Sequence, residues 1–557
     1  MEKPWLRDFE DDIAQWKPKW EANYDKGVPT TYDYPALPQK DFFNKWTDKH
    51  PEKDYLIIND IKLSYGVSNS MARKLANALL DLGVKKGDRV AVMMPNIPQN
   101  IISIHACLKI GAIEVPANVL YTTPELSYQF QDSGAETVIV MALFASKAIE
   151  IMRDPDTPVK RVIAVQVAGM PVDVEKAENI YDYNELLEGS KDSEPDIIVL
   201  PSDISRLQYT GGTTGVPKGC VLTNEMMVSQ VVRTSEWGRI MVEPENFRSL
   251  TAIPLNHIFG YNFSINLCSY GGGTIILVAQ PTPDNLIAAI NKHEPNIFAS
   301  VPAMLIALNN HPEISTSKIG SMEGVISGSA PLAVATMKKF EELSGASICE
   351  GYGLSETINI ITANPFISMK KYGSCGIVWS DTDIVVVDIE TGTKVMPRGK
   401  LGELICRGPQ VIKEYWNNPE ETAQVVRDGW LYTGDIVKMD EDGFIYIMDR
   451  KKDMIICSGF NVYPRDIDEV LFKHPKIKEA CSIGVPHEKR GETVKAFVTL
   501  EENETMTEEE VIAFCRENLA PYKVPTLVEF VDAIPRTVIG KADRKAMKEM
   551  ELSKMEQ

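Results

Sequence analysis

The sequence lacks the features that mark membrane-spanning, disulfide-stabilised and nucleic-acid-binding proteins. No apolar run approaches the roughly 20 residues needed to cross a bilayer. The nine cysteines are scattered, odd in number and without a CxxC pair, which argues against a disulfide framework or a zinc site. With 58 basic and 78 acidic residues the net charge is −20, so neither nucleic acid nor an anionic membrane is expected as the main electrostatic partner.

The N-terminal sequence also lacks the pattern of a secretory signal. Residues 1–16 are acidic and aromatic, whereas a signal peptide is first basic and then apolar. Internal repeats and low-complexity segments are not evident. We therefore expect a cytoplasmic protein without a transmembrane segment, for which peripheral membrane contact and oligomeric state are left open.

The first 370 residues or so alternate between strand-like and helix-like segments. The strand pattern YLIIND precedes the helix pattern SNSMARKLANALLDLGV, and DRVAVMMP precedes QNIISIHACLKIGA. Alternation of this kind is typical of α/β folds with parallel sheets covered by helices. With 557 residues and 44% hydrophobic content, the chain is long enough for two or more such layers.

The pattern changes twice after this α/β region. From Gly373 to Tyr446 short strands are separated by turns such as DIETGTKVMPRGK and DEDGF, which predicts a small antiparallel barrel or sheet. After the charged cluster 449–453 the remaining residues are enough for a compact α+β domain of about 100 residues. We predict an N-terminal domain over 1–451 and a C-terminal domain over 452–557.

The most informative segment is the run from Tyr209 to Lys218, YTGGTTGVPK. Glycines expose backbone N–H groups, threonines add small hydroxyls and the lysine adds one cation, and these are the groups that bind a polyphosphate. The run is not a standard P-loop, because Pro217 rather than glycine precedes the lysine. Taken alone, a surface turn remains the alternative.

Five further motifs accompany this loop in a fixed order. They are Pro254-Leu-Asn-His257, Gly351-Tyr-Gly-Leu-Ser-Glu-Thr357, Tyr432-Thr-Gly-Asp435, Asp449-Arg-Lys-Lys-Asp453 and Pro535-Arg-Thr-Val-Ile-Gly-Lys541. Together they resemble the adenylate-forming superfamily of acyl-CoA synthetases, luciferases and peptide-synthetase adenylation domains. The resemblance covers nearly the whole chain.

This resemblance implies a fold and a reaction. The fold is α/β, with a large N-terminal domain of two doubly wound α/β subdomains plus a small β-barrel, followed by a small mobile α+β C-terminal domain. The reaction joins a carboxylate to AMP with release of pyrophosphate and then transfers the acyl group to the thiol of CoA. ATP, Mg²⁺ and CoA are the implied cofactor and co-substrates. Two anions meet at the α-phosphate, so cations and oriented donors are required there.

The resemblance also assigns the nucleotide site. Glu356 is implied as the magnesium ligand and a catalytic residue, Tyr352 as the adenine-stacking residue, and Asp435 with Arg450 as the ribose ligands. The other implied ATP-binding residues lie in three segments: Thr210, Gly211, Gly212, Thr213, Thr214, Gly215 and Lys218; Gly328, Ser329, Ala330 and Pro331; Gly351, Gly353 and Ser355. A core tyrosine and a helix-capping aspartate are the alternatives at 352 and 435.

A second set of implied residues belongs to the two half-reactions. Lys541 is implied to close the adenylation site, and Lys452 to be the hinge about which the small domain turns. Ser458, Gly459 and Phe460 are implied to line a passage for pantetheine, where only glycine is small enough at 459. His257 is implied as a catalytic neighbour of the substrate carboxylate, with a core histidine as the alternative.

The acid itself is less clearly indicated. Acetate-specific relatives have tryptophan where this chain has Gly353, so we expect a longer acyl pocket, lined by Gly353 and Tyr261. The N-terminal segment 20–29, WEANYDKGVP, resembles medium- and long-chain fatty-acyl-CoA synthetases. The glycines at 271–273 are expected to leave room for a bulky acyl group. An alicyclic or aromatic carboxylate, or loading of a carrier protein, therefore remains an alternative, and the physiological direction of the reaction stays open.

Overall fold

The chain folds into two compact units. The computed structural model describes residues 3–210, 217–457, 460–487, 491–537 and 542–555. The large unit comprises Trp20–Asp383 and Cys406–Leu431, and the small unit comprises Met1–Lys19, Ile384–Ile405 and Tyr432–Gln557. The domain boundary between residues 451 and 452 stays a prediction.

The strands follow the alternation predicted from the sequence. They are β1 (Asp54–Ile58), β2 (Ile61–Ser64), β3 (Arg89–Met93), β4 (Ile113–Pro116), β5 (Thr137–Met141), β6 (Arg161–Val165), β7 (Ile180–Asp182), β8 (Ile204–Thr210), β9 (Lys218–Thr223), β10 (Arg248–Thr251), β11 (Thr274–Leu277), β12 (Ile297–Ser300), β13 (Gly324–Ser327), β14 (Ser347–Tyr352), β15 (Thr362–Ala363), β16 (Ile377–Val378), β17 (Asp383–Val387), β18 (Gly402–Arg407), β19 (Val426–Arg427), β20 (Trp430–Met439), β21 (Ile445–Arg450), β22 (Ile455–Cys457), β23 (Phe460–Val462), β24 (Ile477–His487), β25 (Gly491–Leu500) and β26 (Leu527–Phe530).

Among the described residues, the helices lie between strands, except for two that precede the first strand and one that follows the last. They are α1 (Pro4–Ala22), α2 (Gln39–Lys49), α3 (Tyr65–Asp81), α4 (Pro98–Ile110), α5 (Thr123–Ser133), α6 (Ala145–Arg153), α7 (Tyr183–Gly189), α8 (Asn224–Gly238), α9 (Ile258–Tyr261), α10 (Leu267–Gly271), α11 (Pro283–His293), α12 (Pro302–Asn309), α13 (Val334–Ser344), α14 (Pro419–Val425), α15 (Pro464–Leu471), α16 (Glu508–Asn518) and α17 (Arg544–Met555). A π-helical turn, Asn262–Asn266, connects α9 to α10.

Two large sheets form the framework of the large unit. One has nine strands in the order β16-β15-β14-β13-β12-β10-β11-β1-β2, and the other has seven in the order β7-β6-β5-β3-β4-β8-β9. One apolar cluster contains Leu56 and Ile275 from the first sheet and Val90 and Val92 from the second. Helix α4 belongs to the same cluster and is buried on all its faces, as expected for a helix in the middle of a core. The predicted α/β layering is confirmed.

The small unit contains mostly antiparallel strands, among them the long strands β20 (10 residues), β24 (11 residues) and β25 (10 residues). Strands β20 and β21 pair antiparallel across the Asp440–Phe444 turn, and β18 lies between β17 and β20. A second sheet has the order β23-β22-β25-β24, with β26 parallel to β25. Helices α15 and α16 pack on this second sheet, as the α+β prediction requires.

An N-terminal strap, residues 20–38, runs along the nine-stranded sheet of the large unit. The buried carboxylate of Asp25 accepts hydrogen bonds from the backbone N–H groups of Phe366 (2.7 Å), Ile367 (3.0 Å) and Ser368 (2.5 Å). The Tyr24 hydroxyl donates to the carbonyl oxygen of Val378 at 2.9 Å. The strap is therefore fixed by charge-assisted hydrogen bonds as well as by apolar packing.

No helix in the described part of the chain combines the length and the apolar character required to cross a membrane. All nine cysteines are buried and free.

Candidate active site

Three of the predicted site segments follow parallel strands of the nine-stranded sheet, of which β13 and β14 are adjacent and β10 is separated from β13 by β12. Residues 254–257 follow β10, residues 328–331 follow β13, and the end of β14 leads into residues 353–355. Ser327 and Glu350 are partners in the β13–β14 register, which places the two following segments side by side. Ligands of open α/β sheets bind beyond the carboxyl ends of the strands, and these segments lie there.

The loop after β14 is held in a strained turn. Ile358 and Asn359 adopt left-handed conformations with φ of 48° and 86°, which cost about 1–3 kcal/mol for residues other than glycine. A Cβ atom at Gly353 would lie 1.6 Å from the carbonyl oxygen of Asn359, so only glycine permits this approach of the two backbone segments. Strain of this kind is concentrated at functional sites.

Glu356 is fixed by a distant segment of the large unit. Its Oε1 accepts a hydrogen bond from the Tyr415 hydroxyl at 2.7 Å, and its carbonyl oxygen accepts one from the backbone N–H of Ile412 at 2.9 Å. Burial, and then the Glu356 carboxylate, raise the pKa of Tyr415 well above its usual value. The phenol is therefore protonated at neutral pH and is the donor in this bond.

Strands β8 and β9 fix the two ends of the glycine-rich loop. Thr210 and Lys218 are partners in the antiparallel register, and Tyr209 pairs with Gly219. The Tyr209 hydroxyl donates to Asp132 Oδ2 at 2.5 Å. The predicted phosphate-binding residues Gly211, Gly212, Thr213, Thr214 and Gly215 lie outside the described residues.

Lys218 is engaged by the same segment that holds Glu356. Its ammonium group forms an ion pair with the Glu421 carboxylate and lies 5.6 Å from the centre of the Tyr415 ring. The backbone N–H of Trp416 donates to the carbonyl oxygen of Gly219 at 2.8 Å, which aligns this segment with β9. Tyr415 is thus in contact with both Lys218 and Glu356.

The residues present fit a magnesium ion held largely by its substrate. The described residues contain no cluster of three or more His, Cys, Asp and Glu side chains able to hold a metal ion. Magnesium is usually bound by one or two carboxylates together with substrate phosphates and water. Glu356 is the residue that would hold the ion, and the Tyr415 hydrogen bond to Oε1 restrains its carboxylate.

His257 has a defined ring orientation. Its Nδ1 accepts a hydrogen bond from the backbone N–H of Phe259 at 3.2 Å. In the neutral ring the proton is then on Nε2, which leaves Nε2 as a hydrogen-bond donor. The predicted contact of His257 with the substrate carboxylate needs a donor of this kind.

A buried ion pair lies beneath the His257 loop. Arg206 donates to Glu114 Oε2 at 2.5 Å, and both side chains are almost fully buried. The same guanidinium donates to the carbonyl oxygens of Leu255 (3.2 Å) and Asn256 (3.3 Å). Arg206 therefore connects the seven-stranded sheet to the two residues that precede His257.

Tyr261, predicted at the acyl pocket, belongs to the main apolar cluster and also has a polar and a charged partner. Its hydroxyl accepts a hydrogen bond from Gln39 Nε2 at 2.9 Å, and its ring lies 4.4 Å from the Arg206 guanidinium carbon. The side chain is 2% exposed. Its role at the acyl pocket, like that of Gly353, stays a prediction.

The expectation that three glycines leave room for a bulky acyl group is wrong. A Cβ atom at Gly272 would lie 2.4 Å from the Trp46 ring, one at Gly271 would lie 2.9 Å from Pro244, and one at Gly273 would lie 2.8 Å from the Phe247 carbonyl oxygen. These glycines allow close packing of neighbouring residues rather than opening a cavity.

The small unit carries the predicted ribose pair. Asp435 and Arg450 are register partners on β20 and β21, with Arg450 Nε 3.3 Å from Asp435 Oδ1. Asp435 is buried, whereas the Arg450 side chain is 41% exposed. Lys452 is exposed in the turn after β21, and Phe460 begins β23. Ser458, Gly459 and Lys541 lie outside the described residues.

Sequence reasoning missed Tyr415, Glu421, Glu114 and Arg206. The Asn418-Pro419 pair followed by two glutamates does indicate the start of a helix, and α14 begins there with Asn418 as its N-cap. That signal fixes the local turn. It does not indicate which distant lysine or carboxylate the segment will meet.

Comparisons with known proteins agree with this geometry. Residues 43–416 match the sequence model of the AMP-binding enzyme family, and residues 466–541 match that of the AMP-binding enzyme C-terminal domain. A long-chain-fatty-acid--CoA ligase of Bacillus subtilis is 38% identical over 99% of this chain and 98% of its own length. The ATP-bound structure of MatB from Rhodopseudomonas palustris superposes with a TM-score of 0.83 at 28% identity, covering 92% of this chain and 99% of that one. A fatty acyl CoA synthetase of Mycobacterium tuberculosis has a TM-score of 0.73 at 30% identity, covering 93% and 99%.

Proposed function

The chain belongs to the AMP-binding enzyme family and is an AMP-forming acyl-CoA ligase, and from this premise we propose that its acid is a long-chain fatty acid. The observation that carries the choice of acid is the 38% identity to a long-chain-fatty-acid--CoA ligase over 99% of this chain. The glycines at 271–273 are packed against other residues, so they give no support to the alternative of a ring-shaped acid.

In the proposed first half-reaction, a carboxylate oxygen of the acid attacks the α-phosphorus of ATP, and the bond to the β-phosphate oxygen breaks. Pyrophosphate leaves and the acyl-adenylate remains. The groups assigned to this step are Lys218 for the outer phosphates, Glu356 for the magnesium ion and Lys541 for the α-phosphate and the carboxylate. Magnesium supplies charge neutralisation between the phosphates when it is bound.

The His257 ring is assigned to the carboxylate. Its Nε2 proton, fixed by the hydrogen bond that Nδ1 accepts from Phe259, donates to one carboxylate oxygen and orients the other for attack. Arg206 supports this geometry because it holds the carbonyl oxygens of Leu255 and Asn256.

In the proposed second half-reaction, the sulfur of CoA attacks the acyl carbonyl carbon and the bond to the AMP oxygen breaks. A thioester and AMP are formed, and the thiol proton passes to solvent. Lys452 is assigned as the hinge about which the small domain turns between the two half-reactions. Ser458, Gly459 and Phe460 are assigned to the lining of the pantetheine passage.

The test is a substrate panel. Pyrophosphate release is measured with ATP and magnesium against palmitate, octanoate, acetate, cyclohexanecarboxylate and benzoate, with and without CoA, and products are identified by mass. We expect palmitoyl-CoA and AMP, with kcat/KM falling as the chain shortens. A higher kcat/KM for benzoate or cyclohexanecarboxylate would overturn the fatty-acid assignment, and adenylate without thioester would overturn the assignment of CoA as acceptor.

A further inference from the structure

The segment from Ile412 to Thr422, here called the clamp segment, touches both charged groups assigned to the nucleotide phosphates. Its Tyr415 hydroxyl donates a hydrogen bond to Glu356, and its Glu421 carboxylate forms an ion pair with Lys218. All four residues belong to the large unit. No motif in the sequence indicated this relationship.

The clamp segment is held in place by its own backbone interactions. The Tyr415 N–H donates to Thr422 Oγ1 at 2.9 Å, and Thr422 Oγ1 donates to the carbonyl oxygen of Asn418 at 2.7 Å. The Glu421 N–H donates to Asn418 Oδ1 at 3.1 Å. Asn417 has a φ of 48°, in the left-handed region that asparagine tolerates better than most residues. The backbone that carries Glu421 is therefore held in a closed turn.

The ion pair at Lys218 is partly shielded from solvent. The side chain of Lys218 is 13% exposed and that of Glu421 is 27% exposed. Without Glu421 and before the nucleotide binds, the Lys218 ammonium group would be partly desolvated and would have no negative partner, which is unfavourable in free energy. The Glu421 carboxylate removes that cost, because it supplies the negative charge that the phosphates supply later.

We propose that Glu421 is an internal substitute for the nucleotide phosphate at Lys218, exchanged for it when ATP binds, while Tyr415 holds Glu356 ready for the magnesium ion. The proposal rests on the assignment of Lys218 and Glu356 to the nucleotide. The clamp segment then makes the apo site electrostatically balanced. Nucleotide binding has to break the Lys218–Glu421 ion pair, and this cost offsets part of the attraction between Lys218 and the phosphates.

Two consequences follow for binding. Removal of the Glu421 charge takes away the competitor for Lys218, so ATP is bound more tightly. Removal of the Tyr415 hydroxyl leaves the ring against Lys218 but frees the Glu356 carboxylate to rotate. Magnesium-dependent binding then weakens, while magnesium-independent binding is unchanged.

The test is calorimetric binding of a non-hydrolysable ATP analogue, α,β-methylene-ATP, without any acid or CoA and at fixed ionic strength. Glu421→Gln is expected to lower the dissociation constant by up to about fivefold, the upper end of the range for loss of one partly exposed ion pair. The matched control is Glu420→Gln, which makes the same charge change on an exposed residue of the same helical turn and is expected to leave the constant unchanged. Unchanged or weaker binding by Glu421→Gln overturns the proposal.

Tyr415→Phe is measured with the same analogue at a series of magnesium concentrations. We expect the magnesium concentration for half-maximal binding to rise, with binding in EDTA unaltered. Equal loss in EDTA and in magnesium would show a structural role only and would overturn the positioning of Glu356. Glu421→Ala is the second variant if Glu421→Gln does not fold, and it carries the same expectation.

These readouts separate this proposal from the fatty-acid assignment. Analogue binding involves no acid, so it succeeds or fails whichever carboxylate is the substrate. Failure of the substrate panel with success of the binding series would leave the exchange at Lys218 intact.

Discussion

Arg206 and Glu114 form a buried ion pair in the large unit, with Nη1 2.5 Å from Oε2 and side-chain exposures of 1% and 3%. Ion pairs in this setting add little to net stability, because both charges lose their hydration. The Arg206 guanidinium also donates to the carbonyl oxygens of Leu255 and Asn256, the two residues before His257. The main effect of this ion pair is therefore to hold the loop that carries His257 in position.

Arg206→Met is expected to lower the free energy of unfolding by about 3–5 kcal/mol, since it leaves the Glu114 carboxylate buried without its partner. Urea unfolding measures the change. The control is the double variant Arg206→Met/Glu114→Leu, which removes both charges and should recover part of the loss. No recovery would mean that the hydrogen bonds to Leu255 and Asn256 outweigh the ion pair.

Gly353→Ala is expected to prevent the turn that carries Glu356, because its Cβ atom would lie 1.6 Å from the Asn359 carbonyl oxygen. Gly328→Ala is the matched control in the neighbouring segment, where the nearest atom to a new Cβ is 3.5 Å away. We expect loss of analogue binding and a lower unfolding midpoint for the first variant, whereas the second, a control for packing alone, is expected to change the free energy of unfolding by less than about 1 kcal/mol. A well-folded Gly353→Ala that binds the analogue normally would contradict the close approach. For the same reason, Gly353→Trp cannot serve as a simple test of acyl-chain length.

Asp388 is expected to make the small unit less stable in acid. Although burial by itself raises the pKa of Asp388, hydrogen bonds from the backbone of Thr391 and Lys394 lower it to about 2. The folded pKa lies below the unfolded one, so the contribution is present above about pH 4 and is lost as the pH falls towards 2. It amounts to about 2 kcal/mol at neutral pH.

The measurement is the difference in urea midpoint between the wild type and Asp388→Asn. We expect a large difference at pH 7 and about a third of it at pH 2.5, where much of the carboxyl stabilisation has gone. A difference that does not vary with pH would show that the turn is stabilised by shape alone.

Lys541→Ala is expected to abolish adenylate formation but to spare thioester formation from a preformed acyl-adenylate, because the lysine is assigned to the α-phosphate. Gly459→Leu is expected to do the reverse, since a side chain would obstruct the pantetheine passage. Single-turnover assays of each half-reaction measure both. Equal damage to the two half-reactions by either variant would contradict the two-pose mechanism.

Asp25→Ala is expected to destabilise the N-terminal strap, because three backbone N–H groups lose a charged acceptor. A loss of about 2–3 kcal/mol is the expected size for hydrogen bonds to a charged group. Limited proteolysis of residues 20–38 and the urea midpoint report it. Asp25→Asn, which retains one acceptor oxygen, should lose less, and equal losses would assign the effect to packing.

The sequence predicts much of the fold because local patterns determine it. YLIIND became β1 and QNIISIHACLKIGA became α4, which ends at Gly111 in a left-handed C-cap. The order of motifs also indicated the family. The partners of Glu356 and Lys218 could not be predicted, because the Tyr415 contact joins residues 59 apart and the Glu421 contact joins residues 203 apart. Such contacts depend on how distant sheets and loops pack against each other, and neither hydrophobic periodicity nor a helix-capping pattern in the local sequence indicates that packing.

The hydrogen bond between Asp25 and Phe366 also sets an order of events during synthesis. The two residues are 341 positions apart. At about 5–20 residues per second, translation takes on the order of 20–70 s to pass from one to the other. During that interval the Asp25 carboxylate is already made while its three donors are not, so this segment is synthesised long before it can dock.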